Sequence, residues 1–191
     1  MNEKVACTAC GVMVLPSTAA TNGGLCTPCK RGFRRNIEEG KQRYAERKLA
    51  QANPEPATKH WRWLVNEVSC SELSAENQNY FAVCLLEGEV YNGGFHQFFN
   101  NSSGNYYADA MRGLEELGAD ECCRILLAAK RLLFGEHEVP GTQAARFDYL
   151  ELNPAQEKTL AGLDRAFGNE TAKLRELVTQ YAQTHRLFDG F

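Results

Sequence analysis

The chain has 191 residues, a formal net charge of −3 and 43% hydrophobic residues, enough for one packed domain and a small appendage. These totals exclude a wholly disordered chain, and no apolar run approaches the ~18 residues that cross a bilayer. The first residues, MNEKVACTACG, lack the apolar core of a secretory signal, so we expect a cytoplasmic protein with no membrane partner. In that reducing compartment the eight cysteines are interpreted first as metal ligands or buried thiols.

Residues 1–30 form a cysteine-rich module. Its two CxxC pairs, Cys7 with Cys10 and Cys26 with Cys29, are separated by fifteen residues, a spacing typical of zinc sites. Four thiolates can surround one Zn²⁺ tetrahedrally and leave no open position for catalysis. The alternative is a redox role, but thioredoxin-like chemistry uses a CxxC within a βαβ unit, for which this module is too short. We predict a zinc-ribbon-like module with one structural Zn²⁺ per chain that folds only with its metal.

A charged segment over residues 31–56 follows, and we predict a helical linker that stops at the prolines of Asn53-Pro54-Glu55-Pro56. Residues 1–56 hold nine Lys/Arg and five Asp/Glu, a net +4, whereas residues 57–191 hold twelve and nineteen, a net −7. A solvated helix with i,i+4 ion pairs is the plainer interpretation of this segment. Phosphate contacts are the alternative, and the candidates for them are Lys30, Arg31, Arg34 and Arg35.

Apolar residues recur at helical spacing almost throughout residues 57–191, which predicts an all-α, multi-helix globular domain. Helix starts are expected at Ser74, at Asp120 as an N-cap, and at Asn153, which is followed by proline. Gly168 and its neighbouring asparagine are expected to separate the last two helices. The cysteines outside the CxxC pairs lack metal-ligand spacing and are interpreted as buried thiols; they are Cys70, Cys84, Cys122 and Cys123.

Residues 91–104, YNGGFHQFFNNSSG, concentrate glycine, phenylalanine and amide side chains. A glycine pair can bend a helix sharply, because glycine adopts positive φ and allows close backbone approach. The three phenylalanines that follow lie at i, i+3 and i+4, so we expect them to enter the core from one helical face. The predicted structural corner comprises Asn92, Gly93, Gly94, Phe95, His96, Gln97, Phe98, Phe99 and Asn100.

An enzymatic interpretation of the same stretch makes His96 a general base, with nearby amides holding a substrate. The chain contains no nucleophile elbow, HExxH motif, Walker loop or dinucleotide-binding fingerprint. A histidine beside phenylalanines is more often structural, so we predict no enzymatic activity.

The segment EVYNGGFHQFFNNSSGNYYADAMRGLEELGA, residues 89–119, resembles the signature of the DNA mimic protein family, a helical domain long catalogued as one of unknown function. The resemblance covers roughly residues 57–190 and includes LDRAF at 163–167. It implies an α-helical domain without established enzymatic activity that self-associates, so a homodimer is expected. It also implies an acidic surface whose carboxylates imitate DNA phosphates; the candidates are Glu115, Glu116, Asp120, Glu121, Glu136 and Glu138.

The sequence therefore favours a non-catalytic regulatory protein that binds a protein partner, and the resemblance points to a DNA-binding protein as that partner. Two alternatives stay open. One is a nucleic-acid-binding factor that uses the zinc module and the basic linker. The other is an enzyme of unknown class with His96 in its pocket.

Overall fold

The computed structural model describes residues 3–68 and 72–191, so the interpretation of Cys70 lies outside the described residues. The chain divides into two compact units, Met1–Glu55 and Pro56–Phe191. Each unit has its own local architecture.

The first unit is a short β-hairpin followed by helices. Val5 pairs with Val14 and Ala6 with Met13 across the antiparallel hairpin. The two short helices after it both carry proline in their first turn, where its fixed φ suits a helix start. The charged segment forms a helix with no buried residue, which is typical of a solvated helix. The elements are β1 (Val5–Ala6), β2 (Met13–Val14), α1 (Pro16–Thr21), α2 (Thr27–Lys30) and α3 (Arg34–Ala52).

The second unit is all-α across its described residues, as predicted. Helix α5 lies at its centre and packs against α6 and α9, and α7 packs against α9. The helices are α4 (Pro56–Glu67), α5 (Ala75–Asn100), α6 (Tyr107–Glu116), α7 (Asp120–Phe134), α8 (Gln143–Arg146) and α9 (Pro154–Thr184). Two 3-10 turns, Ser102–Tyr106 and Phe147–Tyr149, complete the unit.

Two of the three predicted helix starts are confirmed. The Ser74 hydroxyl accepts the backbone N–H of Asn77 at 3.3 Å at the start of α5. The Asn153 side chain accepts two backbone N–H groups at 3.0 Å, and Gln156 reciprocates to form a capping box at the start of α9. The N-cap prediction for Asp120 is wrong, because Ala119 occupies that position and Asp120 is the first helical residue. In that position its carboxylate still interacts favourably with the positive, N-terminal end of the helix dipole.

The predicted break at Gly168 is also wrong, because α9 runs without interruption for 31 residues. Phe167 and Leu174 lie seven residues apart on one face, and each is only 1% exposed. Their burial on both sides of the glycine offsets the ~1 kcal/mol that glycine costs inside a helix. Local helix propensity alone therefore does not determine whether the helix ends at Gly168.

The glycine pair bends α5 as predicted. Gly93 has φ −158° and ψ 20°, and Gly94 has φ 76° and ψ −177°, so the helical path is interrupted there and resumes at Phe95. The three phenylalanines of the resumed segment are fully buried, which confirms the expected core face. The bend therefore turns an apolar face into the centre of the unit.

Replacing Gly94 by alanine is expected to lower the free energy of unfolding by about 3 kcal/mol or more. Its backbone conformation is essentially restricted to glycine, and a Cβ atom there would lie 2.5 Å from the carboxylate of Asp164. Gly88→Ala is the matched control, because Gly88 lies in the same helix with no atom near a new Cβ. We expect that change to be neutral or to stabilise by about 0.5–1 kcal/mol. Denaturant unfolding followed by circular dichroism checks this; equal effects of the two substitutions would contradict the account.

Candidate functional site

The four CxxC cysteines form a compact cluster in the first unit. Their Sγ atoms all lie within 4.8 Å of one another, and those of Cys10 and Cys26 are 3.7 Å apart. A regular tetrahedron with metal–sulfur bonds of about 2.3 Å places its sulfur atoms about 3.8 Å apart. Cys7 and Cys26 are 2% exposed, so the cluster is closed to solvent on one side. Within the described residues, this is the cluster of ligand atoms close enough to share a metal ion.

Backbone geometry holds this cluster in place. The hairpin places Cys7 where its N–H donates to Val12 O at 2.9 Å, and the N–H of Cys26 donates to the Cys7 Sγ at 3.2 Å. That N–H is the main reason that the pKa of Cys7 is lowered to about 6. The neighbouring Cys26 thiol raises the pKa of Cys29 to about 12, so four crowded thiols do not ionise together by themselves. A bound cation would offset the repulsion of four thiolates, which makes this donor set suited to a structural metal ion.

In the second unit, two carboxylates fix the bend in α5. Asp164 of α9 accepts the backbone N–H of Phe95 at 2.8 Å and so caps the segment after the bend. Burial raises the pKa of Asp164. Glu89, before the bend, accepts from the side-chain amides of Gln97 at 2.7 Å and Asn101 at 3.0 Å, both after it. Gln97 is therefore held by the protein itself rather than left free for a substrate.

Arg146 fixes the other end of that segment. It is fully buried, and its guanidinium donates to Phe99 O, Asn101 O, Pro140 O and the Asn105 side chain at 2.7–2.8 Å. Two of these acceptors are carbonyls at the C-terminal end of α5, which have no partner within the helix. These end carbonyls are thus satisfied by an arginine that the sequence analysis did not single out. The Ser103 hydroxyl contributes one bond, to Phe98 O at 2.9 Å.

His96 lies at the surface beside a cleft of about 350 Å³ that Glu157 and Asp164 also line. Its Nε2 donates to the backbone carbonyl of Leu150 at 3.3 Å, which leaves Nδ1 as the acceptor in the neutral ring. Of the other corner residues, Asn92 is exposed and Asn100 is half-buried. The structure therefore places His96 in a shallow site with two carboxylates, apart from the buried phenylalanines.

Most of the acidic candidates are exposed, namely Glu115, Glu116, Asp120, Glu136 and Glu138. Glu121 is half-buried and forms an ion pair with Arg124, so its charge is largely neutralised. Glu116 accepts a hydrogen bond from the Tyr181 hydroxyl at 3.0 Å. Five of the six candidates thus remain available as surface carboxylates.

The basic candidates fall into two groups. Lys30 and Arg31 are exposed, just before α3. Arg34 and Arg35 form i,i+4 ion pairs with Glu38 and Glu39 at 2.7 Å. These pairs match the solvated-helix interpretation and reduce the positive charge that α3 offers to phosphates.

Sequence reasoning also missed His60, a wholly buried histidine of α4. Its ring stacks on Trp63 and contacts Tyr80, Phe188 and Phe191, with ring centroids 5.1–5.7 Å apart. Its Nε2 lies 2.7 Å from the Asn77 side-chain oxygen. Burial lowers the pKa of His60, so the folded protein favours the neutral ring.

The free energy of unfolding is expected to fall as the pH drops below about 6.5, the ordinary pKa of histidine in an unfolded chain. The sign follows because the unfolded chain binds the proton more readily than buried His60 does. His60→Gln should flatten this dependence between about pH 7 and pH 5, whereas His137→Gln, at an exposed histidine, should leave it unchanged. Denaturant unfolding at stepped pH measures the slope. A His60→Gln slope equal to that of the unaltered chain would contradict the assignment.

A comparison with known families decides the membership of the helical unit. The sequence profile described as DMP19-like protein matches residues 71–185, more than half of the chain. The chain belongs to the DMP19-like family. No curated protein and no solved structure matches it.

The DMP19-like segment contains the bend in α5, the buried Arg146 and the capping Asp164. The four-cysteine cluster, His60 and the residues after 185 lie outside it. The match includes the NGGFHQFF string, so the family relationship is confirmed for the helical unit over residues 71–185. Among the described residues of this DMP19-like protein, no helix is long and apolar enough to cross a membrane.

Proposed function

We propose that this chain is a non-catalytic regulatory protein whose DMP19-like unit binds a DNA-binding protein through surface carboxylates, as a mimic of DNA. Family membership over residues 71–185 is the observation that carries the proposal. The exposed carboxylates of α6, of the start of α7 and of the segment after α7 support it, because an imitation of phosphates requires charges that no cation neutralises.

We further propose that the four-cysteine cluster holds one Zn²⁺ and that the metal is structural. Four sulfur donors that lie within 4.8 Å of one another, with one pair at 3.7 Å, suit zinc, and they leave no donor position for a substrate. The metal-held module then presents the exposed cations Lys30 and Arg31 at the end of α2, just before α3.

Affinity capture from host lysate tests the protein partner directly. We expect the chain to retain a DNA-binding protein that added duplex DNA displaces, since both ligands would occupy one surface. Replacing Glu115, Glu136 and Glu138 by glutamine should weaken capture roughly tenfold, as expected for several exposed charge pairs together. The control replaces three exposed acids elsewhere with the same change in net charge, namely Asp148, Glu157 and Glu176. Equal loss in both triple variants, or capture that DNA does not displace, would contradict DNA mimicry.

The nucleic-acid alternative makes a different prediction. Direct binding through Lys30 and Arg31 would give an affinity for nonspecific duplex DNA that falls steeply with salt, because each phosphate contact releases counterions. We expect no such binding by the full chain. Self-association, which the family resemblance implies, stays a prediction for light scattering to test.

A further inference from the structure

The four-cysteine cluster is accessible at one member of each CxxC pair. Cys7 and Cys26 are buried, whereas Cys10 and Cys29 are half-buried. Cys10 lies in the turn that joins β1 to β2, and its neighbours in the chain are exposed. A Cβ atom built on the adjacent Gly11 would meet no atom within 4 Å, so this turn is open to a small solute.

Cys10 has a second thiol within reach. Its Sγ lies 3.7 Å from the Sγ of Cys26, which belongs to the other CxxC pair. A disulfide bond is about 2.05 Å long, so the two sulfur atoms must approach by about 1.7 Å to form one. The hairpin turn can supply that shift, whereas Cys29 lies within the hydrogen-bonded backbone of α2. An accessible cysteine beside a second, resolving cysteine is the arrangement typical of redox-sensing sites.

We propose that Cys10 is an oxidation site, at which a hydroperoxide converts Cys10 and Cys26 into a disulfide that joins the two CxxC pairs. The Cys10 thiolate attacks a peroxide oxygen, the O–O bond breaks, and Cys10 becomes a sulfenic acid; hydrogen peroxide leaves as water after protonation. The Cys26 thiolate then attacks the Cys10 sulfur, the S–O bond breaks, and hydroxide leaves and is protonated to water. The two cysteines lose two electrons, and the peroxide gains the same two.

Release of the metal is the consequence of this reaction, and that part alone rests on the proposed zinc site. The disulfide removes two of the four donors and two of their negative charges, so only Cys7 and Cys29 remain to hold Zn²⁺. Two thiolates do not complete a tetrahedral structural site, and the metal leaves. The disulfide is reversible by thiol exchange, so a reducing agent restores the donors.

Excess hydrogen peroxide added to the full chain tests the proposal, with released zinc measured by a chelating dye and disulfides mapped by mass spectrometry. Chymotryptic cleavage after Leu25 separates the two CxxC pairs, so a disulfide between the pairs joins two fragments and a disulfide within a pair does not. We expect the disulfide of Cys10 with Cys26 to be the main product and to appear together with free zinc. Dithiothreitol followed by added zinc should reverse both changes.

The disulfide map decides the oxidation site whether or not zinc is present. A main disulfide within either pair, one that joins the pairs through Cys7 or Cys29, or no disulfide at all would overturn the proposal. A purified chain that contains no zinc but forms the disulfide of Cys10 with Cys26 would contradict the metal site alone. Zinc that stays bound after this disulfide has formed would overturn the release step.

Cys10→His and Cys29→His are matched variants, because each removes one half-buried thiol and supplies an imidazole that also binds zinc. Cys29→His keeps the Cys10 and Cys26 pair, so peroxide should release its zinc at the rate of the unaltered chain. Cys10→His should release zinc at least severalfold more slowly. Equal rates in the two variants, or slower release from Cys29→His, would contradict the assignment of Cys10. If neither variant holds zinc, the disulfide map of the unaltered chain decides.

Discussion

Replacing Cys7 and Cys10 together by serine is expected to unfold the N-terminal module and leave the helical unit folded. Each strand of the hairpin is only two residues long. The buried side chains of the module include two of the sulfur ligands, Cys7 and Cys26. So small a core does not hold by itself, whereas a structural zinc site contributes about 10–16 kcal/mol in small zinc modules. The double substitution removes half of the donors and with them the tetrahedral site.

Metal analysis of the purified chain checks this result, with one zinc per chain expected before the substitution and none after it. Nuclear magnetic resonance should show that the dispersed signals of the module collapse while those of the helical unit remain. Cys123→Ser is the control, because Cys123 is a half-buried thiol of α7 and lies outside the cluster. Full zinc content in the Cys7/Cys10 variant, or a zinc-free chain whose module stays folded, would contradict the proposed metal site.

Replacing Arg146 by methionine is expected to lower the free energy of unfolding by about 3–5 kcal/mol. The guanidinium is fully buried, and it satisfies the carbonyls of Phe99, Asn101 and Pro140 at once. Methionine fills much of the volume but donates nothing, so these buried acceptors lose their partners. Gly104 packs directly against this side chain, so the site is shaped around an arginine.

Arg124→Met is the matched control for that substitution. Arg124 is exposed and pairs with Glu121 one turn away, an arrangement that contributes at most about 1 kcal/mol. Denaturant unfolding of both variants compares them under the same conditions. Similar losses of stability would mean that the buried network around Arg146 does not hold the corner.

Patterns that are local in the chain were predictable from the sequence. The CxxC spacing predicted the cysteine cluster, Asn153 followed by proline predicted the start of α9, and the glycine pair at 93 and 94 predicted the bend. The helix start and the bend depend on residues a few positions apart in the chain. The cysteine cluster depends on a ligand spacing that is typical of zinc sites. The break expected at Gly168 failed because tertiary burial of the flanking apolar residues outweighs a weak local preference.

The residues that hold the bend were not predictable in the same way. Asp164 contacts Phe95 across 69 positions of the chain, and Arg146 contacts Phe99 across 47. In the sequence an isolated aspartate or arginine on a helix is interpreted as a surface charge. Only the fold brings these two side chains to the backbone groups that the bend exposes, so no sequence signal distinguished them from their charged neighbours.

The central claim is that the bend in α5 is a fixed part of the architecture rather than a site that opens to a ligand. Amide hydrogen exchange at Phe95 tests it most directly, because that N–H begins the segment after the bend and donates to Asp164. We predict exchange only through global unfolding, with a protection free energy equal to that of the most protected core amides. Exchange of the Phe95 amide at the rate of exposed loop amides, while the core stays protected, would contradict the claim.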